Sequence, residues 1–283
     1  MKFLISIMSL LSLATGIIAQ EVSIFPDGYL KEPIEYVESD DCSGGPVGGL
    51  SVCRKSNVGE PTFTLYRAAK PNGREVTVVV CPGGGYNILA YDLEGSEICQ
   101  LLNESGYNAV LLKYRVPRRP SREKHEAPLE DLQRTISLLR SNAAEYGING
   151  GRIGVVGFSA GAHLAVMSCC NERSYTSIDA ADELSCRPDF CSLIYPAYLS
   201  GENFKLADDV SVTPSTPPTF ISQSEDDKNH INSSLFYCYA LKEAAVPATL
   251  HIYSSGGHGY GVRQTGQPSQ AWGSEFLKWL DQQ

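Results

Sequence analysis

The stretch that decides the fold is residues 153–165, which reads Ile153-Gly154-Val155-Val156-Gly157-Phe158-Ser159-Ala160-Gly161-Ala162-His163-Leu164-Ala165. It begins as an apolar strand pattern and continues from Ala160 as a helix pattern, with Ser159 between the two. A strand, a tight turn that carries Gly-x-Ser-x-Gly, and a helix together form a nucleophile elbow. We therefore expect Ser159 to be a nucleophile at the carboxyl end of a strand.

Strand patterns and helix patterns alternate on both sides of this stretch. The strand patterns are short apolar runs rich in β-branched residues, which is typical of buried parallel strands. They span residues 62–66, 76–81, 109–112, 153–158, 190–195, 219–221 and 249–253. Helix patterns cover residues 93–103, 129–146, 162–170, 233–245 and 270–280. The alternation predicts an α/β fold with a doubly wound, mostly parallel sheet and helices on both faces.

A nucleophilic serine needs a general base and an acid that orients the base. Of the five histidines, His258 is our choice, because it lies in a glycine-rich loop directly after the last predicted strand. The acidic run of residues 225–227 follows the strand at 219–221, between serine and histidine in the expected chain order. We choose Asp227 as the acid, with Asp226 as the close alternative.

Backbone N–H groups that stabilise a developing oxyanion are predicted at a second strand end. Residues 78–81 run into Pro82-Gly83-Gly84-Gly85, and glycines allow backbone amides to approach a substrate oxygen closely. We assign this role to the N–H groups of Gly84, Gly85 and Ala160, the last at the start of the helix that follows the elbow.

The N-terminus has the pattern of a secretory signal peptide. One basic residue, Lys2, precedes an apolar run at residues 4–18, and Ala19 offers a cleavage point. The run is shorter than the roughly 20 residues that a spanning helix needs. We expect residues 1–19 to be removed on export, residues 20–60 to be irregular, and residues 61–283 to form a single hydrolase domain.

The nine cysteines all follow the predicted signal peptide. In an exported protein, Cys42 and Cys53, which bracket a glycine-rich stretch, are a candidate disulfide. Cys186 and Cys191 are a second candidate pair. Cys81 and Cys99 lie in apolar segments and are expected to be buried thiols.

The net charge of −9 disfavours nucleic acid and anionic lipid as partners, because both carry negative charge. Zinc is not expected either, since no Cys-x-x-Cys pair accompanies a His-x-x-x-His pattern. Composition therefore favours a neutral substrate and a site without a metal ion.

The motifs occur in an order that resembles bacterial acetylxylan and feruloyl esterases, which have the α/β-hydrolase fold. They are Pro82-Gly83-Gly84-Gly85-Tyr86, Tyr114-Arg115, residues 127–131, residues 157–165 and Gly256-Gly257-His258-Gly259. The resemblance runs from about Asn57 to the C-terminus. Two departures stand out: Ala162 replaces a glycine, and Lys228-Asn229 replaces a Pro-Val pair, which leaves the choice between Asp226 and Asp227 open. The Cys42–Cys53 segment has no counterpart in the family.

The resemblance implies a Ser-Asp-His triad of Ser159, Asp227 and His258 that works without a cofactor. It also implies a secreted serine esterase that releases acetyl or feruloyl groups from xylan or xylo-oligosaccharides, so the partner is an acylated plant polysaccharide. A general short-chain carboxylesterase or lipase-like hydrolase is the alternative activity. The second alternative is not an enzyme: a catalytically inactive scaffold that binds carbohydrate.

Overall fold

The structure is a computed structural model that describes residues 19–32 and 35–283. The predicted signal peptide lies, apart from Ala19, outside these residues. The strands are β1 (Ala19–Ser23), β2 (Ser39–Val47), β3 (Leu50–Ser56), β4 (Thr62–Tyr66), β5 (Thr77–Cys81), β6 (Ile88–Ala90), β7 (Asn108–Lys113), β8 (Ile153–Phe158), β9 (Cys191–Ile194), β10 (Thr219–Ser224) and β11 (Ala248–Tyr253). The α-helices are α1 (Glu97–Glu104), α2 (Glu126–Ser141), α3 (Ala143–Tyr146), α4 (Ala160–Cys170), α5 (Ile231–Glu243) and α6 (Trp272–Leu280).

The main sheet of the described residues has the strand order β1-β4-β7-β5-β8-β9-β10-β11. From β7 to β11 every neighbouring pair is parallel, whereas β4 pairs antiparallel with both β1 and β7. After β5 the chain runs first to β7 on one side and then to β8 on the other. The carboxyl ends of β5 and β8 therefore flank the switch point of the sheet, where ligands bind in such folds.

Apolar side chains cover both faces of the sheet, as the continuous apolar strands predict. On β5, Val79 packs into a core with α2, α4 and α5, while Val78 and Val80 pack on the opposite face with α1 and α6. The structure thus confirms the predicted doubly wound sheet with helices on both faces. It also shows that α2 begins at Glu126, three residues before the predicted start, and that α4 begins directly after Ser159.

The expectation of an irregular segment over residues 20–60 is wrong. Strand β1 extends the main sheet, and β2 and β3 form a hairpin that pairs with β6 in a separate three-stranded sheet. The two-residue turn Gly48-Gly49 has positive φ at both positions, as a hairpin turn of this length requires. Strand β2 escaped prediction because most of its residues are exposed and show no apolar alternation.

One predicted disulfide is present and the other is absent. Cys42 and Cys53 are bonded across the β2–β3 hairpin, as predicted. Cys186 and Cys191 are both free, and Cys191, the first residue of β9, has the thiol of Cys169 in α4 as its neighbour. The expected burial of the free thiols of Cys81 and Cys99 is confirmed.

Among the described residues, no helix combines the length and apolar character that crossing a membrane requires.

Candidate active site

Ser159 occupies the sharp turn between β8 and α4. Its backbone has φ 51° and ψ −115°, a conformation that a non-glycine residue adopts only when its surroundings hold it there. The Ser159 N–H donates to the Ile194 carbonyl (3.0 Å), and the Ser159 carbonyl accepts from the N–H groups of Ala162 (3.1 Å) and Ala197 (3.2 Å). Neighbouring strand β9 and helix α4 therefore fix the strained backbone of the serine.

The two glycines of the elbow are required by close backbone approach. A Cβ at Gly157 would overlap the Gly161 carbonyl, and a Cβ at Gly161 would overlap the Cys81 carbonyl at the end of β5. Helix α4 thus starts in direct contact with the end of β5, where the glycine-rich loop begins. The sequence spacing predicted this elbow, and the contacts give the physical reason for the spacing.

Ser159, His258 and Asp227 lie in one chain of hydrogen bonds. Ser159 Oγ is 2.8 Å from His258 Nε2, and His258 Nδ1 is 2.7 Å from Asp227 Oδ2. Asp227 is buried, whereas about a third of the His258 side chain is exposed. The acid follows β10 and the histidine follows β11, and these strands are parallel neighbours, so their carboxyl ends bring the two loops together.

Asp226, the alternative acid, has a different partner. Its carboxylate accepts hydrogen bonds from the backbone N–H groups of Gly257 (2.8 Å) and Gly256 (3.3 Å). Asp226 therefore braces the loop that carries His258, while Asp227 contacts the imidazole itself. Both acids act on the same loop, which is why the sequence pattern left the choice between them open.

The glycine-rich loop lies against the serine. A Cβ at Gly83 would come within 2.9 Å of the Ser159 Cβ, and positive φ angles at Gly84 (137°) and Gly85 (64°) shape the following turn. Among the described residues, neither the Gly84 nor the Gly85 N–H group has an acceptor within hydrogen-bonding distance. Ala160 is the first residue of α4, where N–H groups have no partner within the helix. The loop and the helix start thus offer donors beside Ser159 Oγ.

Sequence reasoning missed two buried residues beneath the site, Glu94 and Tyr195. Glu94 lies in a π-helical turn (Asp92–Ser96) before α1, inside the segment that we expected to be an ordinary helix from Leu93. Burial raises the pKa of Glu94, while hydrogen bonds from Tyr195 and the Gly83 N–H favour its charged form. A single glutamate within an amphipathic segment gives no signal in the sequence that it faces inward.

His230 packs against His258, with 4.6 Å between ring centroids. Burial and the neighbouring His258 lower the pKa of His230, which favours a neutral imidazole beside the general base. His163, four residues after the serine, is fully buried, and its Nδ1 shares a hydrogen bond with the Tyr86 hydroxyl (2.8 Å). Its contacts are those of a packed residue in the core.

A donor set that could hold a cation includes His163 of α4. One side-chain donor from each of His125, His163 and Asp209 lies within 4.8 Å of the other two. The Lys124 ammonium is 3.8 Å from the Asp209 carboxylate and already places a positive charge there. A second such set, Asp227, His230 and His258, shares Asp227 and His258 with the hydrogen-bonded chain described above.

The mostly parallel sheet with a serine on the turn between β8 and α4 defines the chain as an α/β hydrolase. The BD-FAE family model matches residues 63–185. The crystal structure of an acetyl ester-xyloside bifunctional hydrolase from Caldicellulosiruptor lactoaceticus is similar, with a TM-score of 0.66 and 30% identity over 80% of this chain and 89% of that one. The chain belongs to the α/β-hydrolase esterases of the acetylxylan and feruloyl type.

Two curated relatives match a large part of the chain. Endo-1,4-beta-xylanase B of Butyrivibrio fibrisolvens is 30% identical over 212 residues, which cover 65% of this chain and 32% of the xylanase. Acetylxylan esterase of Xylanibacter ruminicola is 27% identical over 231 residues, which cover 73% of this chain and 45% of the esterase. The chain therefore spans about a third of the first relative and less than half of the second.

Proposed function

We propose that the protein is a secreted serine esterase that removes acetyl groups from xylan or xylo-oligosaccharides. The observation that carries this proposal is the hydrogen-bonded chain from Asp227 through His258 to Ser159. In the first step Ser159 Oγ attacks the ester carbonyl carbon, and His258 Nε2 accepts the hydroxyl proton. Asp227 holds the imidazole in the required tautomer and stabilises the imidazolium that forms.

The tetrahedral intermediate carries its negative charge on the former carbonyl oxygen. We assign the donors for this oxygen to the backbone N–H groups of Gly84, Gly85 and Ala160. The intermediate collapses when the C–O bond to the sugar breaks and His258 returns the proton to the sugar oxygen. A water molecule then attacks the acetyl-serine with His258 as base, acetate leaves, and Ser159 regains its proton.

The proposed substrate rests on the relatives. One of them is named an acetylxylan esterase, a second an acetyl ester-xyloside bifunctional hydrolase, and a third a xylanase. Acetate is the first acyl group to test and ferulate the second. Export is supported by the Cys42–Cys53 disulfide and by a polymer substrate that is met outside the cell. N-terminal sequencing of the mature protein should begin at Gln20; retention of Met1 would contradict export with cleavage.

The first prediction concerns the nucleophile. Ser159→Ala should reduce acetate release from acetylated xylan by about 10⁴-fold or more, because no acyl-enzyme can form. The same variant should lose labelling by a fluorophosphonate probe. Ser168→Ala is the matched control, since the Ser168 hydroxyl donates to the Ala165 carbonyl within the same helix. Undiminished acetate release by Ser159→Ala would overturn the assignment.

A substrate panel separates the proposed activity from its alternatives. We expect a higher kcat/KM for acetylated xylo-oligosaccharides than for glyceryl triacetate or methyl ferulate. A preference for the glyceryl ester would replace the carbohydrate esterase with a general short-chain esterase. A folded protein that neither takes the probe nor hydrolyses any ester would be an inactive scaffold.

A further inference from the structure

Glu94 is a buried carboxylate without an ion-pair partner among the described residues. Only 4% of the Glu94 surface is exposed. Neither a lysine nor an arginine is among the groups that shift its pKa. A buried charge is costly unless hydrogen bonds compensate it, so such a group calls for a specific role.

Both carboxylate oxygens of Glu94 accept strong hydrogen bonds. Oε2 accepts from the Gly83 N–H (2.7 Å), and Oε1 accepts from the Tyr195 hydroxyl (2.9 Å). Burial raises the pKa of the Tyr195 phenol well above its usual range, so the hydroxyl keeps its proton and can donate it. The Tyr195 oxygen in turn accepts from the Gly261 N–H (3.2 Å).

These contacts reach three parts of the proposed catalytic machinery. Gly83 opens the oxyanion loop and lies against Ser159. Tyr195 follows Ile194, whose carbonyl accepts from the Ser159 N–H, and the Tyr195 ring lies 5.0 Å from the His258 ring. Gly261 belongs to the loop that carries His258. One carboxylate therefore ties together the loops of the oxyanion donors and of the base.

We propose that Glu94 is a positioning residue that fixes the oxyanion loop and the histidine loop around the nucleophile. The inference rests on the serine esterase function proposed above. Its effect is geometric, because the Gly83 N–H and the Tyr195 hydroxyl are held by the same group.

Other groups also contact the His258 ring or lie near Glu94, and the test must leave them unchanged. Asp227 bonds to Nδ1, His230 packs on the ring, and Tyr195 contacts it from below. On the side of Glu94, Tyr114 is a neighbouring phenol whose hydroxyl donates to the Pro82 carbonyl (2.6 Å). These groups stay in place when Glu94 alone is changed.

The test compares Glu94→Gln with wild type, using 4-nitrophenyl acetate and the rate of fluorophosphonate labelling as two readouts. We expect Glu94→Gln to lower kcat by about 10- to 100-fold with little change in KM, since oxyanion donors act mainly in the transition state. The glutamine amide has one acceptor oxygen where the carboxylate has two, so it cannot accept from both the Gly83 N–H and the Tyr195 hydroxyl.

Two further variants accompany Glu94→Gln. Glu94→Asp keeps both acceptor oxygens on a shorter side chain, so its kcat should lie between that of Glu94→Gln and that of wild type. Glu104→Gln is the control, because Glu104 lies at the end of α1 and accepts a hydrogen bond from the exposed Gln100. It should match wild type in both readouts.

An unchanged kcat in Glu94→Gln would overturn the inference. If Glu94→Gln does not fold, Tyr195→Phe removes the link to Gly261 and keeps the carboxylate. It should lower kcat, and wild-type kcat in this variant would overturn the inference. Normal labelling without acetate release from xylan would contradict only the proposed substrate, because both readouts here are independent of xylan.

Discussion

The nucleophile elbow and the β2–β3 hairpin are held in place by different means. The elbow lies in the core, where Gly157 and Gly161 allow backbone contact between β8, α4 and the end of β5. The hairpin is mostly exposed, and its three-stranded sheet is separate from the main one. Residues close in sequence define the elbow, whereas the hairpin depends on a disulfide and on an arginine more than 200 residues away.

That arginine is Arg263, five residues beyond His258. Its guanidinium is buried and donates to backbone carbonyls of the hairpin and to two carboxylates near α1; the acceptors are Val47 (3.4 Å), Leu50 (2.7 Å), Ser51 (3.0 Å), Asp92 (3.0 Å) and Glu97 (2.7 Å). A planar guanidinium with several donors can serve such a divergent set of acceptors, which a lysine cannot.

The hairpin is also connected to the oxyanion loop. Strand β3 pairs with β6, and the Ala90 N–H of β6 donates to the Gly83 carbonyl (2.9 Å). Through Arg263 the hairpin touches the segment after the histidine, and through β6 it touches the glycine-rich loop. The elbow thus places the nucleophile, while the hairpin supports the loops around it.

The largest effect on the unfolding free energy is expected at the elbow. Gly161→Ala should cost roughly 4 kcal/mol or more of unfolding free energy, because the new methyl group meets the rigid backbone of Cys81 and cannot be relieved by a side-chain movement. Activity should fall with it, since α4 also carries the Ala160 N–H. Urea unfolding and acetate release measure the two effects.

A glycine of the hairpin provides the control for this prediction. Gly45 has no heavy atom within 4 Å of its Cβ position and no positive φ, so Gly45→Ala should change the unfolding free energy by less than about 0.5 kcal/mol. If Gly161→Ala were as mild as Gly45→Ala, close packing would not be what defines the elbow.

The contrast between the elbow and the β2–β3 hairpin explains which parts of the molecule could be predicted from the sequence. The alternation of strands and helices in the α/β core, the elbow and the choice of His258 follow from apolar runs, glycine spacing and chain order. The sequence could narrow the choice of the acid only to Asp226 or Asp227, because both carboxylates bond to the loop that carries His258. The hairpin was missed, despite its Gly48-Gly49 turn, because β2 is mostly exposed and shows no apolar alternation. Glu94 was missed because no local pattern reports its contacts with Gly83 and Tyr195.

A smaller effect is expected at Arg263. Arg263→Met should lower the unfolding free energy by roughly 2–3 kcal/mol, since Asp92, Glu97 and three carbonyls lose their donor while retaining partial access to water. We also expect kcat to fall by about tenfold, because the histidine loop loses its anchor. Arg74→Met, which removes an exposed arginine with a 3.7 Å ion pair, is the control and should be near neutral. Wild-type kcat in Arg263→Met would show that the hairpin does not support the site.

The smallest effect is expected from the disulfide. The bond joins residues 11 positions apart, so replacing both Cys42 and Cys53 by Ala should cost about 2 kcal/mol through greater freedom of the unfolded chain. Turnover should change little, because Arg263 still holds the carbonyls of Val47, Leu50 and Ser51. Dithiothreitol should reproduce the loss in wild type and have no effect on the double variant, since the other cysteines of the described residues are free. A loss of turnover equal to that of Arg263→Met would mean that the disulfide, and not the arginine, keeps the hairpin against the active-site loops.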